Sequence, residues 1–245
     1  MIKIEHLTKS YAGSDVKAVE DLSFTAEDGQ IVGFVGPNGA GKSTTIKCLT
    51  GILPFSEGKI TIDGFDIRSQ AVEAKKRIAF VADENILYNG LTGNQYVNMI
   101  ASIFGVSESD KNERTARYAE LFDMTDKLGE KIGSYSHGMK QKVSIIAGLV
   151  HEPGVWVLDE PMTGLDPKAS FELKKLMKEH AEKGNTVLFS SHVLEVVEKL
   201  CDKVVIINKG RIVTECSAEE IHEKSANTSL EELFLKITGA NSENV

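Results

Sequence analysis

The segment GPNGAGKS, residues 36–43, constrains this chain more than any other feature. It follows IVGFV (31–35), a continuous apolar run bounded by Asp28-Gly29 before it and Gly36-Pro37 after it. Such a run reads as a strand buried on both faces. A helix is predicted from about Lys42 to Leu49, with Gly51 as its stop. A strand, then a glycine-rich loop, then a helix is the setting the P-loop pattern G-x-x-x-x-G-K-[ST] requires, and these residues match it without a gap. Glycines let backbone amides approach a ligand, and amides aimed inward at the positive end of a helix make a nest for anions. Lys42 adds a mobile positive charge for outer phosphates, and the Ser43 hydroxyl suits a Mg²⁺ ligand.

A second apolar strand, VWVL (155–158), ends in the paired acids Asp159 and Glu160. Successive side chains of an extended chain point in opposite senses. Asp159 is therefore predicted to face Mg²⁺ or its water, and Glu160 to polarise an attacking water. Alone, an apolar strand followed by two acids reads equally well as a solvated turn. Beside a P-loop it points to phosphoryl chemistry.

The remaining pattern supplies the frame. IKIEHL near the start alternates as a strand does, and KITIDG (59–64) reads as an edge strand ending in an Asp-Gly turn. RIAFVA (77–82), TVLF (186–189) and KVVII (203–207) are further strands, and the turn Asn208-Lys209-Gly210 followed by RIV predicts a terminal hairpin. From about Leu91 to Val150 apolar residues recur at helical spacing, as in Tyr96, Val97, Ile100, Ile103 and Phe104. That block reads as an insertion between two halves of a sheet. Leu173, Leu176, Met177 and His180 mark the face of another helix, and two short helices are predicted near 217–223 and 229–237. Alternating strands and helices predict a largely parallel α/β sheet.

Asn208-Lys209-Gly210-Arg211 begins like the Asn-Lys-x-Asp segment that reads guanine, but it lacks the acid and is read as turn chemistry. The segment YSHGMKQK (135–142) decides between families. It resembles the signature motif of the ABC ATPases, usually LSGGQ followed by a basic-Gln-basic run. Tyr135, His137 and Met139 depart from that motif, while Ser136 and Gly138 keep it.

The resemblance covers essentially the whole chain in the right order. It implies an ABC fold of the P-loop class, with a mostly parallel sheet core, antiparallel edge strands and an inserted helical subdomain. A single ATP-binding domain would span 1–245, with its core near 1–90 and 151–225, the helical part near 91–150 and a helical tail near 226–245.

It implies further that ATP is held by Gly36, Pro37, Asn38, Gly39, Ala40, Gly41, Lys42, Ser43 and Thr44, with Tyr11 stacked on the adenine. Ser136 and Gly138 of a second copy would face the γ-phosphate. Glu160, His192 and Lys42 would carry catalysis. Ser43, Asp159 and Asp83 would hold Mg²⁺, Asp83 standing where the family often has Gln. MTGLDP (162–167) resembles the D-loop, with Asp166 near the partner subunit. His6, His137, His151, His180 and His222 are read as structural or surface residues.

The partners implied are a second ATPase subunit, arranged head to tail, and separate integral membrane permease subunits, with this chain at the cytoplasmic face of the membrane. The chain's final segment and YSHGMKQK resemble exporter ATPases. The rival reading is a soluble ABC ATPase acting on the ribosome or on DNA. A net charge of −8, with no basic stripe, argues against nucleic acid. No apolar run approaches the ~18 residues of a spanning helix, the N-terminus lacks the apolar stretch of a secretory signal, and three cysteines at irregular spacing fit reduced thiols rather than disulfides.

Overall fold

The computed structural model describes residues 1–13, 16–84 and 86–217, together with Glu220 and Phe234. The helices predicted near 217–223 and 229–237, the tail at 226–245 and His222 fall largely or wholly outside these residues.

In chain order the strands are β1 (Ile2–Ser10), β2 (Lys17–Ala26), β3 (Ile31–Val35), β4 (Glu57–Ile62), β5 (Phe65–Asp66), β6 (Ile78–Val81), β7 (Val155–Leu158), β8 (Thr186–Ser191), β9 (Lys203–Asn208) and β10 (Arg211–Ser217). The helices are α1 (Lys42–Leu49), α2 (Ala71–Lys76), α3 (Gly93–Ile103), α4 (Glu108–Leu121), α5 (His137–Leu149), α6 (Pro167–Glu182) and α7 (Leu194–Leu200).

Six strands form one sheet in the order β10-β9-β3-β8-β7-β6. All neighbours in it are parallel except β10, which returns beside β9 as an antiparallel edge. Its inner strands β3, β7 and β8 are buried along their whole length because both faces are covered. Alternate residues serve opposite cores: Trp156 and Leu158 of β7 pack with the helices, and Val155 and Val157 pack toward the second sheet. That second sheet is antiparallel, in the order β2-β1-β4-β5. The two sheets meet through rings such as Phe24 and Phe34, stacked with centroids 5.6 Å apart. On the other face α7 approaches β3 so closely that a Cβ on Gly33 would lie 2.7 Å from Val197 Cγ1.

The strand predicted at 31–35 is β3, and the helix predicted from Lys42 to Leu49 is α1. KITIDG is not at an edge: β4 lies between β1 and β5, because the turn at Asp63 (φ +48°) and Gly64 (φ +82°) folds Phe65–Asp66 back onto it. The β9–β10 hairpin turns in the same way at Lys209 (φ +46°) and Gly210 (φ +78°). β2, α2 and α7 escape the sequence reading. β2 buries Val19, Leu22, Phe24 and Ala26 at irregular intervals, since bulges break its pairing with β1 and blur the period of two.

The block from 91 to 150 is helical in three pieces. Thr92 and Gln95 cap α3 reciprocally, the Thr92 hydroxyl accepting the Gln95 N–H and the Gln95 side chain accepting the Thr92 N–H. Ser107 caps α4. The strands on either side of the block, β6 and β7, are direct neighbours in the sheet, so the insertion leaves their pairing intact. α5 packs back on β6, where a Cβ on Gly148 would lie 3.4 Å from Ala79 Cβ.

Two histidines are packed against aromatic rings. His151 stacks on Phe104 with centroids 3.7 Å apart, and His180 meets Trp156 edge-on at 5.6 Å. Burial pushes each down to about pKa 4. An unfolded histidine titrates near ~6.5, so below that pH the unfolded chain binds more protons and stability falls. The unfolding free energy from urea titrations is expected to drop as pH goes from about 6.5 to about 4, by at most about 1.4 kcal/mol per pH unit for each histidine. The paired variant His151→Leu/His180→Leu should flatten the curve in that window, and an unchanged slope would contradict the assignment.

Candidate functional site

Parallel pairing carries the ends of β6, β7, β8, β3 and β9 to one edge of the sheet. Val35 sits opposite Ser191 and Ile206, and Leu158 sits opposite Val81 and Phe189. The residues that follow these ends are Gly36, Asp83, Asp159, Glu160 and His192. Open α/β sheets bind ligands at this edge.

The loop 36–43 turns tightly against its neighbours. A Cβ on Gly36 would collide with the Ile207 carbonyl, and one on Gly41 (φ +105°) would lie 2.6 Å from the Ala18 carbonyl. These two positions admit no side chain. The β9–β10 turn braces the loop, with Gly210 N–H donating to the Ala40 carbonyl at 2.8 Å. The segment that began like a guanine reader is thus a strut for the loop. Gly41 caps α1 without a side-chain bond, and no acid stands in the first helical turn, so the positive end of α1 is open to an anion.

Tyr11, residues 37–44, Asp83 and Glu160 line one cleft of about 370 Å³. Lys42 is buried and donates to the Gly36 carbonyl at 2.7 Å, with its Nζ 3.9 Å from Glu160 Oε1. Glu160 Oε2 lies 2.8 Å from His192 Nδ1. Glu160 itself takes φ +46°, a strained setting for a non-glycine residue. Ser190 holds it there: its Oγ accepts the Glu160 N–H at 2.9 Å and donates to Asp159 Oδ1 at 2.6 Å. One hydroxyl thereby orients both acids. Sequence reasoning passed over Ser190, although its place just before Ser191 and His192 in FSSH was the available signal.

Asp159 is 3% exposed, and Asp83 stands nearby. Burial raises the Asp83 pKa, as do the Asp159, Glu160 and Glu84 carboxylates. Among the described residues no group of three or more His, Cys, Asp or Glu could cage a metal. Ser43, Asp159 and Asp83 offer only hard oxygens. Such a sparse set fits Mg²⁺, which keeps waters and phosphate oxygens among its ligands.

Ser136 and Gly138 do not line this cleft. Ser136 caps α5 and is exposed, with no acid in the first turn of the helix. Gly138 lies against the 162–167 loop so tightly that a Cβ would collide with the Gly164 carbonyl. Gln141 Nε2 donates to the Pro161 carbonyl at 3.2 Å, and Lys142 pairs with Asp166 at 2.7 Å, holding the Asp166 carboxyl below the usual range. The start of α5 is therefore keyed to the loop that follows Glu160.

A larger groove of about 890 Å³ lies between α1 and β6 on one side and α3 and α5 on the other. Ile52, Phe80, Ile86, Tyr96 and Ile100 contribute to its apolar lining, and Ile86 is 95% exposed. Ser43 and Asp83 line both this groove and the cleft, so the two abut, and Asp159 lines the groove.

The family model for ABC transporters matches residues 19–163. The ABC transporter ATP-binding protein NatA of Bacillus subtilis is 35% identical over 221 residues, covering 90% of each chain. The linearmycin resistance ATP-binding protein LnrL of the same organism is 35% identical, over 87% of this chain and 68% of its own. A solved ATP-binding subunit of an ABC transporter superposes with a TM-score of 0.91 at 31% identity, covering 97% of this chain and 99% of that one.

Proposed function

The chain belongs to the ABC transporter family as an ATP-binding, ATP-hydrolysing subunit, and on that premise we propose how its residues do this work and what they drive. The carrying observation is the convergence of Lys42, Glu160 and His192 at the mouth of the glycine-rich loop. In this reading Gly36, Pro37, Asn38, Gly39, Ala40, Gly41, Lys42, Ser43 and Thr44 wrap the phosphate chain with amides and one ammonium. Tyr11 stacks on the base. Glu160 accepts a proton from the attacking water, and His192 orients its carboxylate through the 2.8 Å contact. Ser43, Asp159 and Asp83 supply oxygens to the cation. Mg²⁺, when bound, neutralises charge on the outer phosphates.

Ser136 and Gly138 do not line the cleft that holds Lys42 in their own chain, which supports a head-to-tail pair of ATPase subunits. Each would present the open start of α5 to the nucleotide of the other. Closure is then favoured by ligand that binds the closed pair better than the open one, and hydrolysis releases it. The 91–150 block is the lever, because it carries Ser136 and borders the Asp83 groove.

Among the described residues no helix is long and apolar enough to cross a membrane. In this reading the chain works with separate permease chains, as its family implies, and the apolar groove bearing Ile86 is where we dock a permease helix. This chain would then work at the cytoplasmic face of the membrane. Export is the favoured direction, in keeping with a relative named for linearmycin resistance. A soluble role on the ribosome or on DNA is disfavoured by the net charge of −8.

Glu160→Gln is expected to bind ATP but to lose about 10²–10⁴-fold in turnover, the usual worth of general-base catalysis. Steady-state ATPase assays beside nucleotide titrations check this, and near-wild-type turnover would remove Glu160 from the role. Lys42→Ala should instead weaken nucleotide binding itself. Ile86→Asp should abolish co-purification with the permease while leaving ATP affinity unchanged. Retention of the complex would move the docking site elsewhere.

A further inference from the structure

Tyr11 is contacted at its hydroxyl and on one face of its ring. Tyr11 stands just past the end of β1, and its ring is 46% exposed. Its hydroxyl is hydrogen-bonded to Thr44 Oγ1 at 3.1 Å, in the first turn of α1. Lys9, two residues earlier on β1, sets its ammonium 5.2 Å from the ring centroid. A cation over an aromatic face is attracted by the ring quadrupole, and here it occupies one face only.

We propose that Lys9 and Thr44 are positioning residues for nucleotide recognition: together they fix the Tyr11 ring so that a purine stacks on the face opposite Lys9. The proposal rests on the reading of Tyr11 as the base platform and adds what makes the platform work. A side chain free to turn must be ordered when ligand binds, which weakens affinity. A ring pinned at its hydroxyl and on one face avoids that loss. The Tyr11–Thr44 bond also ties the platform to the helix that presents the phosphate loop. Base and phosphate subsites therefore share one rigid frame, and the distance between them is set before binding.

The test compares two ligands on the full chain by calorimetric titration with magnesium present: ATP, and inorganic tripolyphosphate, which has no base. Tyr11→Ala should weaken ATP and spare tripolyphosphate. If ATP binds that variant as well as wild type, the platform reading itself fails. Given that loss, Tyr11→Phe keeps the ring but drops the hydroxyl, and should weaken ATP by about 3–10-fold. Lys9→Gln should weaken it by about 2–5-fold, with Lys9→Arg restoring it. In the Tyr11→Phe background, Thr44→Val should leave the ratio of ATP to tripolyphosphate affinity unmoved, because the bond it breaks is already gone. Wild-type ATP affinity in Tyr11→Phe and Lys9→Gln, beside a clear loss in Tyr11→Ala, would overturn the pinning while leaving the platform in place. Equal losses for both ligands would also overturn it, by showing a general disturbance of the loop.

Discussion

Parallel pairing of β3 with β8 on one side and β9 on the other is the constraint from which the site follows. Parallel strands bring like ends together, so the segments leaving β3, β6, β7 and β8 share one edge. Gly36, Asp83, Glu160 and His192 come from four distant stretches of chain, yet each lies within a few residues of a strand end. Covering both faces of the sheet makes this arrangement stable. The alternation of Val155 and Val157 against Trp156 and Leu158 gives each strand a place in two cores at once. A slip of one residue would exchange the two sets.

On that frame the chemistry is set by close contacts rather than by flexible parts. Ser190 holds Asp159 and Glu160 in fixed relation, and Glu160 keeps a left-handed backbone because its N–H is captured there. The β9–β10 turn braces the glycine-rich loop through the Ala40 carbonyl. Preorganisation of this kind spares the site from rearranging when charge develops. The start of α5 is held with equal firmness, but to the 162–167 loop and away from the cleft.

Much of the fold was legible in the residues. IVGFV, VWVL and TVLF are unbroken apolar runs, and each became a buried parallel strand. β2 was not legible, because bulges disturb its alternation. KITIDG was legible as a strand but not in its position, since strand order depends on which segments pair across the sheet. Asn208-Lys209-Gly210 was readable as a turn, while its bracing of the loop was not.

The sequence by itself determined the local unit from Ile31 to Leu49, because strand, loop and helix there are contiguous and the residue types demand that order. It also singled out Asp159, Glu160 and His192 as candidates, through their places after apolar runs. Only the tertiary structure decided how Ser190 joins the two acids, how Gly210 supports Ala40 and how Thr44 meets Tyr11. Those contacts span 30 or more positions along the chain, and hydrophobic period and turn chemistry report only on near neighbours.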